Sequence, residues 1–326
     1  MFMKRTFLAL LASGLLSLSG RAAEIVVDDS YSPGERFARN HKKHPEIRWP
    51  ALSFEAGQQI AFERPYKQVA GGRDLHLDIF HATQAHKNNQ AIVLVHGGGW
   101  RSGNKSHFYP LANLLAQRGY TVVAVEYRLS TQAPYPAGLI DINDAISWLK
   151  ANSERLQIDP DRIAIGGGSS GGHMAALAGF AGDFAGYHSS QAPHSGVNAI
   201  IDLDGVLDFT TPLALKFENK KQAKSAAALW LGGTYEQIPA IWREASPASY
   251  VGEHSPPTLI ISSGQLRFTA GRQAVQATLD QHNIPHQYIE LDETLHTFWL
   301  FEPYLSQTAQ WIDTFLQRVR KQGDMQ

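Results

Sequence analysis

The stretch Arg162-Ile-Ala-Ile-Gly-Gly-Gly-Ser-Ser-Gly-Gly-His-Met-Ala-Ala-Leu-Ala178 decides how the rest of the chain is read. It opens as an apolar run, Ile163 to Ile165, passes through a knot of glycines and serines, and leaves as a small-residue segment that reads as a buried helix. A strand, a sharp turn and a helix with serine at the turn is the context of the G-x-S-x-G nucleophile elbow. Glycines are expected there because the turn residue is strained and its neighbours pass close to other backbone. The motif fits in two registers. Gly167-Gly-Ser-Ser-Gly171 centres Ser169, and Gly168-Ser-Ser-Gly-Gly172 centres Ser170.

Outward from this stretch the pattern alternates between strand and helix. Ala91–Val95 and Thr121–Val125 are continuous apolar runs, as expected of strands buried on both faces. Stretches 198–203, 258–261 and 287–291 read as further strands. Helical periodicity marks 108–118, 141–154, 270–281 and 305–320. Two alternating runs, 61–69 and 75–80, split by Gly71-Gly72, read as an antiparallel hairpin. The implied class is α/β: a mostly parallel sheet with helices on both faces, made mixed by the hairpin. Residues 208–253 interrupt the alternation and read as an insertion over the site, with one or two helices around 223–231.

Bulk properties narrow the function. The chain has 326 residues, is 43% hydrophobic and 18% charged, and carries a formal charge of −1. With no long basic run, nucleic acid is not an expected partner. With no cysteine there is no disulfide and no thiolate metal site. Lys4 and Arg5, an apolar stretch over 6–20, and Gly20-Arg-Ala22 read as a secretory signal peptide covering 1–22. The expectation is a secreted or periplasmic bacterial protein with no stable membrane insertion after cleavage. Residues 23–59, with Pro33, Pro45 and Pro50, read as an N-terminal arm laid solvated on the surface of a domain spanning 60–326.

A second glycine run, His96-Gly-Gly-Gly-Trp100, directly follows the buried strand at 91–95. Backbone N–H groups freed by such a run can stabilise a developing oxyanion in acyl transfer. Together with the elbow, and in this chain order, the sequence resembles the HGGG-bearing esterases of the α/β-hydrolase superfamily. Four stretches carry the resemblance: His96–Trp100, Val125–Ser130 through Pro134-Tyr-Pro136, Asp159–Ile163 through His173, and His296-Thr-Phe-Trp299. The middle portion is most similar to secreted bacterial esterases that remove acetyl, feruloyl or methyl ester groups from polysaccharides.

The resemblance implies roles residue by residue. It makes Ser169 the nucleophile, with Ser170 offering its backbone N–H to an oxyanion hole shared with Gly98 and Gly99. It makes His296 the base, since that histidine follows the last strand by a short loop; His96, His173, His254, His282 and His286 are read as structural or exposed. It departs from the family at the acid. The position just after the penultimate strand that usually holds aspartate is Arg267, and no carboxylate lies between Gly264 and Asp280. Asp204, at the end of the preceding strand, and Glu293, three residues before His296, are the candidates, with Asp202, Asp208 and Asp292 behind them. Arg267 and Arg272 are candidate binders of a sugar carboxylate, and Trp100 and Trp299 candidate platforms for sugar rings. No cofactor and no metal are expected, because no P-loop, dinucleotide fingerprint or metal-ligand spacing is present. The substrate expected is a small or polysaccharide ester, first of all acetyl. A serine peptidase of the same fold and a non-catalytic hydrolase-fold binder are the other readings.

Overall fold

The structure, a computed structural model, describes residues 31–190 and 196–323. The expected signal peptide lies outside the described residues. Eight strands form one sheet: β1 (Ile60–Gln68), β2 (Asp74–Phe80), β3 (Ala91–Val95), β4 (Thr121–Val125), β5 (Ile163–Gly168), β6 (Ala199–Leu203), β7 (Thr258–Ser262) and β8 (His286–Glu290). Their order is β1-β2-β4-β3-β5-β6-β7-β8. The β1/β2 and β2/β4 pairs are antiparallel and all the others parallel. This is the α/β-hydrolase fold, a mixed sheet with helices on both faces.

Side chains alternate across the sheet, so each strand feeds two cores. Val93, Val95, Val123, Val125, Ile163 and Ile165 pack on one face with the helices Ala137–Ala151 and Ser170–Phe180. Ile92, Leu94, Val122, Ile201, Leu259 and Ile261 pack on the other with Tyr109–Gln117 and Tyr304–Gly323. The helix Ser170–Phe180 is buried along its whole length. That is why its sequence is small and apolar throughout rather than amphipathic.

Register places the chemistry-bearing turns together. Val95 aligns with Gly167, Gly167 with Asp202, and Gly168 with Leu203. The segments that leave β3, β5 and β6 therefore emerge side by side at one sheet edge. These are the His96 glycine run, Ser169 and Asp204. In open α/β sheets the carboxyl ends of the strands are where ligands bind.

Two regions differ from, or add to, the reading of the sequence. Residues 31–59 are more than a solvated arm. The helix Pro33–Asn40 is capped by the Ser32 side chain, Tyr31 and Ile47 are buried, and Arg48 pairs with Glu302 in an isolated bridge. Phe37 packs edge-on to Trp49 and against Phe301. A few single anchors hold this segment, so no periodicity advertises it. Within 208–253 stand the helices Pro212–Glu218, Ala226–Leu231 and Pro239–Glu244.

Candidate active site

Ser169 sits at the junction of β5 and the helix Ser170–Phe180 with φ 58° and ψ −124°. A non-glycine residue held there costs on the order of 1–3 kcal/mol. The surroundings enforce it. The Ser169 N–H donates to the Leu203 carbonyl at 2.8 Å, and its own carbonyl accepts the His173 N–H at 3.0 Å. The helix crosses so tightly over β3 that a Cβ on Gly171 would lie 2.1 Å from the Val95 carbonyl oxygen. The strained turn lifts the Ser169 side chain off the sheet edge, and places its backbone at the positive end of an 11-residue helix.

His296 bridges serine to acid. Its Nε2 lies 2.7 Å from Ser169 Oγ and its Nδ1 2.9 Å from Asp204 Oδ2. Asp204 is the carboxylate on the ring. Its side chain is fully buried, and its Oδ1 accepts the Ser263 N–H at 2.8 Å. With both oxygens occupied, the carboxylate cannot rotate away from the ring. Its backbone lies in the left-handed region, φ 57°, which aspartate tolerates better than most residues. Glu293 is exposed in the turn before His296 and has no bond to the ring, whose Nδ1 is taken by Asp204. The position read as the family's acid, Arg267, instead donates to Glu218 at 2.9 Å.

The glycine run is held by its carbonyls. Ser102 donates to the Gly98 carbonyl through both N–H (3.2 Å) and Oγ (2.8 Å). His96 Nδ1 lies 2.9 Å from the Gly97 carbonyl. Burial pushes the His96 pKa down to about 3, so the ring is neutral and Nδ1–H is the donor. In a trans peptide the N–H points opposite to the C=O. Tying back the Gly97 and Gly98 carbonyls therefore turns the Gly98 and Gly99 N–H groups the other way. Gly98 has φ 131°, and a Cβ there would stand 2.1 Å from the Ser102 carbonyl oxygen, so no other residue fits.

Gly98, Gly99, Ser169, Ser170 and His296 line one cavity of about 280 Å³. Trp100 also lines it, stacked on Trp230 at 4.8 Å and edge-on to Phe209. Arg267 lines it as a paired cation. Trp299 and Arg272 do not. Trp299 is buried beneath the imidazole, edge-on at 5.5 Å, and packs under Gly168. Arg272 lies 4.0 Å over the Tyr288 ring. Both therefore have packing duties, which corrects the reading of them as substrate contacts. His173 is buried with Nε2 on the Ala245 carbonyl at 2.8 Å and a pKa lowered to about 4 by burial, a structural histidine.

The structure also brings in residues that the sequence did not single out. Phe268 stacks flat on His296 with centroids 3.6 Å apart. The aromatic face covers one side of the ring and fixes its plane. Glu218 neutralises Arg267. Tyr31 and Arg36, from the N-terminal arm, line the cavity. No composition or spacing signal marks these four, because each arrives by long-range packing.

A serine on a strained elbow, an imidazole on its oxygen, a buried carboxylate behind the imidazole and two turned N–H groups define a hydrolase-type site on the α/β-hydrolase fold. Its geometry suits nucleophilic attack on a carbonyl carbon. The chain belongs to the BD-FAE family, whose model matches residues 77–276. It is 30% identical over 263 residues to the "Probable carboxylic ester hydrolase LipM" of Mycobacterium tuberculosis, covering 76% of this chain and 59% of that one. It is also 30% identical to "Esterase LipQ" of the same organism, over 68% of this chain and 55% of the relative. The chain thus spans little more than half the length of these curated relatives. Among solved structures, "Truncated form of carbohydrate esterase from gut microbiota" superposes with TM-score 0.69 at 20% identity, over 83% of this chain and 99% of that one. Esterase 2 of Thermogutta terrifontis, with propionate bound, gives 0.65 at 24% identity, over 81% and 95%.

Proposed function

We propose that this chain is an exported serine esterase that hydrolyses carboxylic esters, acetyl esters on plant polysaccharides first among them, with methyl and feruloyl esters behind. The carrying observation is the continuous relay from Ser169 Oγ through His296 to buried Asp204, at 2.7 and 2.9 Å. The family and the esterase relatives support ester bonds as the target. The carbohydrate-esterase neighbour and the signal-like N-terminus support an exported enzyme acting on polysaccharide. The cavity volume suits a short acyl group, while Trp100, backed by Trp230, and Phe209 supply apolar surface.

In this mechanism Ser169 Oγ attacks the ester carbonyl carbon as His296 Nε2 takes its proton. Asp204 holds Nδ1–H, selects the productive tautomer and stabilises the imidazolium. The Gly98, Gly99 and Ser170 N–H groups take the developing oxyanion. Collapse expels the alcohol, protonated by His296, and leaves an acyl group on Ser169. Water, deprotonated by His296, then attacks the acyl carbon and releases the acid and free Ser169. The chemistry uses no cofactor and no metal.

The test is a mass-spectrometric screen of acetylated, methyl-esterified and feruloylated polysaccharides for released acid or alcohol. Acetate release lost in Ser169→Ala is the expected result. No release from any of the three, with simple p-nitrophenyl esters also untouched, would overturn the reading.

A further inference from the structure

The arm that precedes β1 brings Tyr31 to the cavity. Tyr31 is 6% exposed, and its hydroxyl is buried with no hydrogen-bond partner among the described residues. The ring is pinned. The Arg36 guanidinium lies 4.6 Å over it, and His107 is tilted against it at 5.4 Å. Burying a hydroxyl unpaired costs free energy that a phenylalanine in the same place would not. Packing alone therefore gives no reason for the oxygen.

The hydroxyl and the Ser169 side chain close on the same point beside Gly97. The point where a Cβ on Gly97 would lie is 3.3 Å from Tyr31 Oη and 3.1 Å from Ser169 Cβ. Tyr31 lines the same cavity as Gly98, Gly99, Ser169 and His296. Two carbonyls of the glycine run already accept a hydrogen bond each. The Gly97 carbonyl takes His96 Nδ1–H, and the His96 carbonyl takes the Tyr127 hydroxyl at 2.8 Å. Burial raises the Tyr31 phenol above its ordinary range, so it keeps its proton at any working pH.

We infer that Tyr31 donates its hydroxyl hydrogen to an oxygen of the ester held at Ser169, which makes the N-terminal arm part of the active site. The inference rests on the esterase reading above. No covalent step is added, since the phenol keeps its proton throughout and contributes a hydrogen bond.

Tyr31→Phe removes the oxygen and keeps the ring. With p-nitrophenyl acetate, kcat/KM falls about 10- to 100-fold, while Tm is unchanged or rises because an unpaired buried hydroxyl is gone. A loss carried by kcat places the bond on the oxyanion, and one carried by KM places it on the bound ester. Either supports the inference. A variant as active as the parent overturns it, as does activity that falls only in step with Tm. Should Tyr31→Phe not fold, the parent inhibited with diethyl p-nitrophenyl phosphate supplies the second test. A crystal structure of that adduct with Tyr31 Oη about 2.7–3.0 Å from one of its oxygens supports the inference, and no contact overturns it. A parent that turns over no ester sinks both readings, whereas an active parent matched by Tyr31→Phe sinks this one alone.

Discussion

Asp204→Asn is the most informative change at this site, because the structure dictates how the amide must sit. Ser263 N–H donates to one carboxylate oxygen at 2.8 Å, and His296 Nδ1 contacts the other at 2.9 Å. An asparagine keeps the Ser263 bond only by presenting its carbonyl oxygen there. Its NH₂ then faces His296 and requires an unprotonated Nδ1. That selects the tautomer with hydrogen on Nε2, aimed at Ser169, which cannot accept the serine proton. The loss has a second part, the removed charge. Two unit charges about 4 Å apart at an effective dielectric of about 20 interact by about 4 kcal/mol, or roughly a thousandfold in rate. With the tautomer fault added, kcat for p-nitrophenyl acetate falls by about 10³- to 10⁴-fold. The amide has the same shape, so the folded state persists by circular dichroism. Glu293→Gln, measured alongside, stays within about twofold, as expected of an exposed substitution with no contact to the ring. An Asp204→Asn enzyme within tenfold of the parent, or an equal loss in Glu293→Gln, would refute the reasoning.

Three further outcomes follow from the same geometry. Gly98→Ala drives a Cβ to 2.1 Å from the Ser102 carbonyl oxygen at φ 131°, so kcat falls about 100-fold or more as the turned N–H groups are lost; steady-state kinetics check it. Phe268→Ala removes the face stacked at 3.6 Å on His296 and lowers kcat about three- to tenfold, an aromatic contact of about 0.5–1.5 kcal/mol; a loss in KM alone would contradict it. Asp202, buried with Oδ1 on the Gly205 N–H at 2.7 Å, has a pKa raised to about 7 by burial and by neighbouring Asp204. Its proton is held more tightly in the folded state than in the unfolded one. Stability from this group is therefore present at low pH and is lost as pH rises from the usual carboxylate range through about 7. Urea unfolding of Asp202→Asn should show a flatter pH dependence over that window, and an unchanged slope would count against it.

How much of this was legible in the sequence differs by element. The β3 and β4 runs and the elbow are written locally. Burial on two faces demands continuous apolar residues, and a strained turn under a crossing helix demands glycines at fixed offsets. Ser169 and His296 could be placed through the family resemblance, because each follows a strand at the short distance that family keeps. The acid could not be settled locally. Asp204 reaches His296 only because β6 lies beside β5 with Leu203 opposite Gly168, a register that leaves no trace in spacing. Glu293 was a rival through mere proximity in the chain, and its exposure in the turn removes it from the ring. Arg267 reads as a candidate binder of a sugar carboxylate because its partner, Glu218, lies 49 positions away. The arm read as solvated because aromatic anchors at Tyr31 and Phe37 make no periodic pattern.

The proposed mechanism requires Ser169, not its neighbour Ser170, as the nucleophile. Reaction with a fluorophosphonate followed by peptide mass spectrometry tests it most directly. One phosphonyl adduct is expected, localised by fragmentation to Ser169 and absent from Ser169→Ala and from His296→Ala. An adduct on Ser170, or none on the intact protein, would contradict it.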